Sequence, residues 1–356
     1  MKVLILGGTG AMGKPLQQHL LGLGHAVHVT SRSRHENGDI IFHCGNAHEN
    51  SFLEELLKDE FDVIVDFMSY KTDEFAARAS MLCAETGQYV FTSSARVYAP
   101  CEGLITEDQP RLLDVCDDQK YLQTDEYALT KARQENILRK CGYDNWTIVR
   151  PGLTYNSERL QYALGEKEEW LYRYLQGEKI VFPKNMSDVL TTMSYGDDVS
   201  GAIARLTGNE EAYGKTVHIA GAKAVTWEKV NAIYSRELER RFGRTPEFVY
   251  IDDWEKTGKA LKRYYQLKYA RSVSRRFDSS RLESLIGCQP FTDPEIGLAK
   301  CLNEFFENKL KFKKIPWNTE AYYNRITKDK GNIKSFQHAE RIKYLIGRYT
   351  PYFDLR

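Results

Sequence analysis

The sequence predicts an α/β fold built on a doubly wound parallel sheet. Three features predict it. Short apolar runs alternate with amphipathic stretches through the first half of the chain, the pattern of strand and helix in turn. The runs are nearly continuous in Val, Ile, Leu and Phe, as strands covered on both faces are. A glycine-rich turn joins the first run to the first amphipathic stretch, where a parallel sheet places its phosphate loop.

The elements follow in order. KVLIL is the first strand. GGTGAMG comes next, then a helix with Leu16, Leu20, Leu21 and Leu23 on its apolar stripe and Gly24 at its end. Pro15 falls in the first turn, where a missing N–H is tolerated. AVHVT and DIIFH are strands two and three, and SFLEELLKD is a short helix. FDVIVDF is strand four, EFAARASMLCAET one helix, and QYVFTSS strand five. DEYALTKARQENILRKCG is a helix and WTIVRPG strand six.

Bulk properties narrow the function. The 356 residues can bury a large core, and 42% hydrophobic with 28% charged residues is ordinary for a soluble protein. A net charge of +1 argues against a global field for nucleic acid. No apolar run reaches bilayer-spanning length, and MKVLILGGTG is too short and Gly-rich for a secretory signal. Seven scattered cysteines, with no metal spacing, predict reduced thiols that serve mostly as small buried residues, hence a cytoplasmic protein without a metal site.

Gly7, Gly10 and Gly13 each have a steric role, in turn a tight bend, close approach of backbone to a pyrophosphate, and close helix–strand packing. Thr9, Ala11 and Met12 complete the loop, whose helix offers N–H groups and a positive dipole end to phosphate. Tyr127 and Lys131 lie one helical turn apart, so their side chains are neighbours. Tyr264 and Lys268 repeat the spacing without a serine-bearing strand before them, and belong to surface or packing.

GGTGAMG, FTSSARVY, EYALTK and VRPGLTY occur in the order in which they recur in the extended short-chain dehydrogenase/reductase family, which the chain resembles from about residue 1 to 225 and arguably to 305. The resemblance implies a Rossmann-type dinucleotide-binding domain over 1–155, to which the chain returns around 190–225, a smaller C-terminal substrate-binding subdomain over 156–305, and nucleotide-sugar epimerase, dehydratase or ketoreductase activity. Beyond that subdomain lies a basic, aromatic extension over 306–356. The resemblance also implies a homodimer. It makes Tyr127 the proton donor or acceptor, Lys131 the cation that favours phenolate and holds the nicotinamide ribose, and Ser94, rather than Ser93, the hydroxyl that fixes the substrate oxygen.

Strand two ends in VTSRSR. Ser31 stands where NAD users often carry Asp, Arg32 and Arg34 follow, and no carboxylate comes before Glu36. That favours NADP over NAD, since guanidinium groups suit a 2′-phosphate that a carboxylate would repel. Asn46 takes the position of an Asp near the adenine. Phe67, Met68 and Ser69 are expected to line the nicotinamide-side ribose, with Pro151 and Leu153 near the ring.

Family dehydratases place an Asp-Glu pair after the catalytic hydroxyl; here Ala95 and Arg96 stand there, which disfavours elimination of water. The leading expectation is an NADP(H)-dependent 4-keto-sugar-nucleotide reductase, with an NAD-dependent 4-epimerase next. Arg96, Asn156 and Arg276 are the substrate candidates; Arg275 and Arg281 compete with Arg276 for the diphosphate. EFAARASMLCAE lacks the Asn that organises a proton-relay water in many members. A third expectation is a non-catalytic relative of the chloroplast stem-loop RNA-binding proteins. Asp197 and Asp198 are expected to cap one helix and Thr226 another.

Overall fold

The computed structural model describes all residues except 36, 37, 222, 289 and 354–356, so Glu36 lies outside it. The apolar runs form strands β1 (Lys2–Leu6), β2 (Ala26–Ser31), β3 (Ile40–Cys44), β4 (Phe61–Asp66), β5 (Thr86–Thr92), β6 (Trp146–Pro151) and β7 (Lys215–Ile219). They make one parallel sheet of order β7-β6-β5-β4-β1-β2-β3. The chain reverses direction across the sheet between β1 and β4, the switch point where such folds bind ligands at the strand C-termini.

Both faces of the sheet are covered. Val3 and Ile5 of β1 pack with Leu16 and Leu20 of helix α1 (Gly13–Gly22). Leu4 and Leu6 pack on the other side with Leu53, Leu56 and Leu57 of α2 (Asn50–Leu57). Alternate side chains of a strand point to opposite faces, so a strand buried on both sides must be apolar throughout, which is why it reads as a run. Gly24, with φ +79°, follows the end of α1 in the left-handed conformation that stops a helix. Leu23, expected on the apolar stripe, is exposed.

Two further expectations are corrected. The helix expected over EFAARASMLCAET is two pieces, α3 (Thr72–Ala76) and α4 (Ala79–Ala84). Arg78, between them, is buried and donates to Ala47 O, His48 O and Asn50 Oδ1, and this tertiary pull interrupts the helix. Only Cys83 and Cys301 of the seven cysteines are buried.

Helix α5 (Tyr127–Leu138) precedes β6, and α6 (Gly196–Leu206) leads toward β7. Asp197 and Asp198 do not cap α6; its N-cap is Tyr195, and they lie in the first turn, Asp197 against His19 at 3.0 Å and Asp198 accepting Thr292 N at 2.6 Å. Thr226 does cap α7 (Trp227–Phe242), accepting Lys229 N at 3.1 Å.

The chain forms two compact units. The sheet lies in the first, which comprises residues 1–154, 192–222 and 276–292. The second comprises 155–191, 223–275 and 293–356, and includes α8 (Pro294–Glu307), α9 (Trp317–Thr327) and α10 (His338–Tyr349). Within it Arg173 is wholly buried and holds Glu320, Asn324, Thr327 and Asp329, which ties the α9 region to the Leu171–Gln176 helix. Tyr264 sits under Lys268 Nζ, 5.7 Å from the ring centroid, a packing contact. Among the described residues no helix is long and apolar enough to cross a membrane.

Candidate functional site

The site starts at the end of β1. Gly7 has φ +70°, a conformation that strains any side chain, and a Cβ there would lie 3.0 Å from Met68 Sδ. A Cβ on Gly13 would overlap the Gly8 carbonyl and come within 2.5 Å of Gly8 Cα. Above Gly10 the space is open: the nearest atom to a Cβ there is Gly7 O at 3.9 Å. Thr9 and Gly10 are exposed, with Ala11 and Met12 half-buried beside them. The loop thus packs tightly below and is open above. Helix α1 begins with neither a side-chain cap nor an acid in its first turn, so its own first turn brings no negative charge against an anion there. This cradle fits a dinucleotide pyrophosphate.

At the end of β4, Asp66 is buried. It accepts Tyr89 OH at 2.7 Å, Met68 N at 2.8 Å and Tyr70 OH at 3.0 Å. Burial pushes its carboxyl up, against the pull of those donors and of Lys131. The Asp66–Met68 bond shapes the turn that aims the Met68 carbonyl at Lys131 Nζ, 3.4 Å away. Phe67 and Met68 are half-buried and Ser69 exposed.

Lys131 is buried in α5. Its ammonium lies 4.6 Å from the centroid of Phe91 and 6.0 Å from that of Tyr127. Burial pushes it down from 10.5 to about 8, opposed by Asp66 and Glu135. The ammonium therefore predominates at neutral pH. Tyr127, at the first position of α5, is 41% exposed.

Arg96 supplies a second cation over Tyr127, its guanidinium carbon 5.3 Å from the ring centroid. It is ion-paired with Glu126, which also accepts Ala128 N at 2.8 Å as the N-cap of α5 and Tyr121 OH at 3.2 Å. Ser94 is half-buried and its Oγ accepts Arg96 N at 3.2 Å. Ser93, by contrast, is buried and donates to Glu135 Oε1 at 2.7 Å. Glu135 also accepts from Arg150 at 2.8 and 2.6 Å and from Arg111 at 3.1 Å. Burial pushes its carboxyl up, but Arg150, the Ser93 hydroxyl and the charge of Arg139 outweigh that and hold it below the usual range.

A continuous series of contacts therefore links the glycine loop, Met68, Lys131, Tyr127, Arg96 and Ser94. The other candidates are placed as follows. Ser31 is buried and its Oγ accepts Ser33 N at 3.2 Å, while Arg32 and Arg34 are exposed. Asn46 donates to Glu49 at 3.1 Å and accepts His48 N at 3.2 Å. Pro151 is buried and Leu153 half-buried. Arg276 donates to Glu102 O at 3.4 Å. Arg281 pairs with Asp108 at 3.0 Å, and Arg275 is buried. Asn156 lies in the second unit and accepts Glu158 N at 3.0 Å.

Residues 3–220 match the NAD dependent epimerase/dehydratase family. The chain belongs to that family. By its description that family comprises NAD-dependent epimerases and dehydratases. Among similar proteins, the chloroplast stem-loop binding protein of 41 kDa b from Arabidopsis thaliana is 25% identical over 244 residues, 64% of this chain and 60% of that protein. The 2′-dehydrokanamycin reductase of Streptomyces kanamyceticus is 22% identical over 250 residues, 68% of each. The structure of dTDP-glucose 4,6-dehydratase from Bacillus anthracis, in complex with NAD, superposes with a TM-score of 0.68 at 16% identity, over 89% of this chain and all of that one.

Within the epimerase/dehydratase family pattern, Asp66, Tyr89, Glu126, Gln134 and Glu135 escaped sequence reasoning. Asp66 carried a signal, a carboxylate closing an otherwise apolar strand at the switch point. Tyr89 and Gln134 carried none. Gln134 is buried one turn past Lys131 and donates to Tyr70 O at 2.7 Å, with its own Oε1 buried and unpaired.

Proposed function

We propose that the chain is an NADP(H)-dependent reductase of a 4-keto nucleotide sugar, with Tyr127 as the proton donor. The observation that carries this reading is the cationic surround of Tyr127. Arg96 and Lys131 both face the ring, and the carboxylate next to it, Glu126, is fully engaged by Arg96, Tyr121 and Ala128. Elimination of water needs a free acid and base beside the substrate; reduction of a ketone needs one proton donor. A bound nicotinamide supplies the hydride.

The remaining roles fall to side chains. Ser94 hydrogen-bonds the ketone oxygen and fixes its orientation. Tyr127 gives that oxygen its proton, and the oxygen left on Tyr127 is a negative charge that Lys131 stabilises. Ser93 is spent on Glu135, which leaves Ser94 as the hydroxyl free for substrate. Gly7, Thr9, Gly10, Ala11, Met12 and Gly13 hold the pyrophosphate. Arg32 and Arg34 take the 2′-phosphate, and Asn46 lies by the adenine. Phe67, Met68, Ser69, Pro151 and Leu153 border the nicotinamide half. Arg96, Asn156 and Arg276 bind substrate. The streptomycete relative, a reductase by name, supports reduction over epimerisation.

Tyr127→Phe is expected to lower turnover by at least about a hundredfold while NADP(H) still binds; retained activity rules out its proton transfer. Arg32→Ala is expected to weaken NADPH far more than NADH, and equal losses reject the cofactor assignment. A 4-epimerase would purify with dinucleotide retained and would need no added NADPH for turnover. The similarity to the stem-loop binding protein favours a second reading, RNA binding without catalysis. Salt-dependent RNA affinity with no turnover on a panel of keto-sugar nucleotides would select it.

A further inference from the structure

The helix α10 is apolar on two opposite faces. At 100° per residue, Tyr344 and Gly347 share one face, and both are buried. Tyr344 packs in a cluster with Ala321 and Phe336, and Asn324 Nδ2 donates to its hydroxyl at 3.0 Å. That face docks α10 onto α9 and needs no other partner. Ile342, Leu345, Ile346 and Tyr349 follow the i, i+3, i+4, i+7 spacing of a second stripe on the far side. They are 52, 44, 46 and 71% exposed. A soluble surface helix normally turns charge outward; this one turns four large apolar side chains outward.

Cations flank the stripe. Arg341 and Arg348 lie along one border and Lys343 along the other. Arg348 is anchored by Tyr344 OH at 2.7 Å and Arg341 by Phe336 O at 2.8 Å, so their charges are held in place. The bias extends further: residues 308–356 carry 12 Lys and Arg against 4 Asp and Glu, +8 in a chain of net +1.

We propose that α10 is a peripheral membrane contact, laying the Ile342–Leu345–Ile346–Tyr349 stripe into the headgroup boundary of an anionic lipid surface. Area and charge choose this occupant over a protein. Taking about 200 Å² for a fully exposed large apolar residue, the stripe presents roughly 400 Å², half of the ~800 Å² per partner that a stable protein interface needs. A second copy seated on the same face would bring two +8 segments together. A lipid surface requires no complementary shape, and each Lys or Arg near an anionic leaflet adds roughly fivefold to the binding constant. Tyr349, the most exposed of the four, has the apolar body and polar tip suited to that boundary.

The test is vesicle flotation of the full chain with phosphatidylcholine alone and with phosphatidylcholine plus phosphatidylserine. Binding is expected with the phosphatidylserine vesicles, and is expected to fall as salt rises. The Ile342→Ser/Ile346→Ser double variant, altered only at exposed positions, is expected to bind at least about tenfold more weakly with an unchanged circular dichroism spectrum. Lys343→Glu tests the charge without touching the stripe and is expected to lose most of the preference for phosphatidylserine. Failure to float with either vesicle, or equal binding to both, overturns the proposal. So does a concentration-dependent dimer that the double variant abolishes, which would make the stripe a self-association surface. RNA binding that the serine substitutions leave intact, with no flotation, would instead make the segment a nucleic-acid surface.

Discussion

Replacing Lys131 with methionine is expected to stabilise the fold at neutral pH while abolishing turnover. The side chain is buried and its ammonium is pushed down to about 8 from 10.5. Folding therefore works against the charged form, and at about 1.4 kcal/mol per pKa unit the penalty below pH 8 is about 3 kcal/mol. Methionine fills a similar volume without charge. It leaves Met68 O without its donor and removes the cation from the Phe91 face, which together offset about 1 kcal/mol. A net gain of about 2 kcal/mol at pH 7 remains.

The pH dependence separates this cause from ordinary repacking. Between pH 8 and 10.5 the unfolded chain holds a proton on Lys131 that the folded chain has released. The wild-type protein therefore gains stability as pH rises through that window, and the variant does not. The variant's advantage should shrink by about 2 kcal/mol between pH 7 and pH 9.5. Urea unfolding of both proteins at the two pH values measures it. A variant less stable than wild type at pH 7, or an advantage that does not change with pH, would refute the reasoning.

Two other substitutions probe the same centre. Asp66→Asn keeps an acceptor for the Tyr70 and Tyr89 hydroxyls but removes the carboxylate that helps hold Lys131 charged, so the alkaline limb of the pH–rate profile should move to lower pH; an unmoved limb would show that the two groups do not communicate. Gly13→Ala places a methyl against the Gly8 backbone, and should weaken NADPH at least about tenfold in a fluorescence titration; an unchanged dissociation constant would mean that the loop does not hold the pyrophosphate.

The sheet was legible because burial on both faces forces each strand to be a continuous apolar run, a local property. Helix ends were legible where a local group sets them, as with Gly24 after α1 and Thr226 before α7. The break between α3 and α4 was not, because it comes from Arg78 reaching the Ala47–Asn50 segment some 28 to 31 residues away. The same holds in the site. The glycine loop and the Tyr127–Lys131 turn are local spacings. The burial of Lys131 depends on Phe91 and Met68, from two other strand ends, and no window of sequence contains all three. The outward stripe of α10 lay in plain view as ERIKYLIGRY, yet both its faces are apolar, and only packing shows which one is left over.

Arg96 joins these two kinds of information. As a residue type in a motif it says only that the position after Ala95 is not an acid. Its contacts say more. Glu126 caps α5 and fixes where Tyr127 begins the helix, and the same carboxylate neutralises Arg96 and holds it over the Tyr127 ring. Substituting a carboxylate at position 96 would therefore do more than supply a missing acid. It would set two like charges against each other at the N-terminus of α5, release the guanidinium that faces Tyr127, and loosen the cap that positions it. Converting this site to an eliminating one requires changing positions 96 and 126 together, so the cationic surround of Tyr127 is a property of the helix start as much as of the motif.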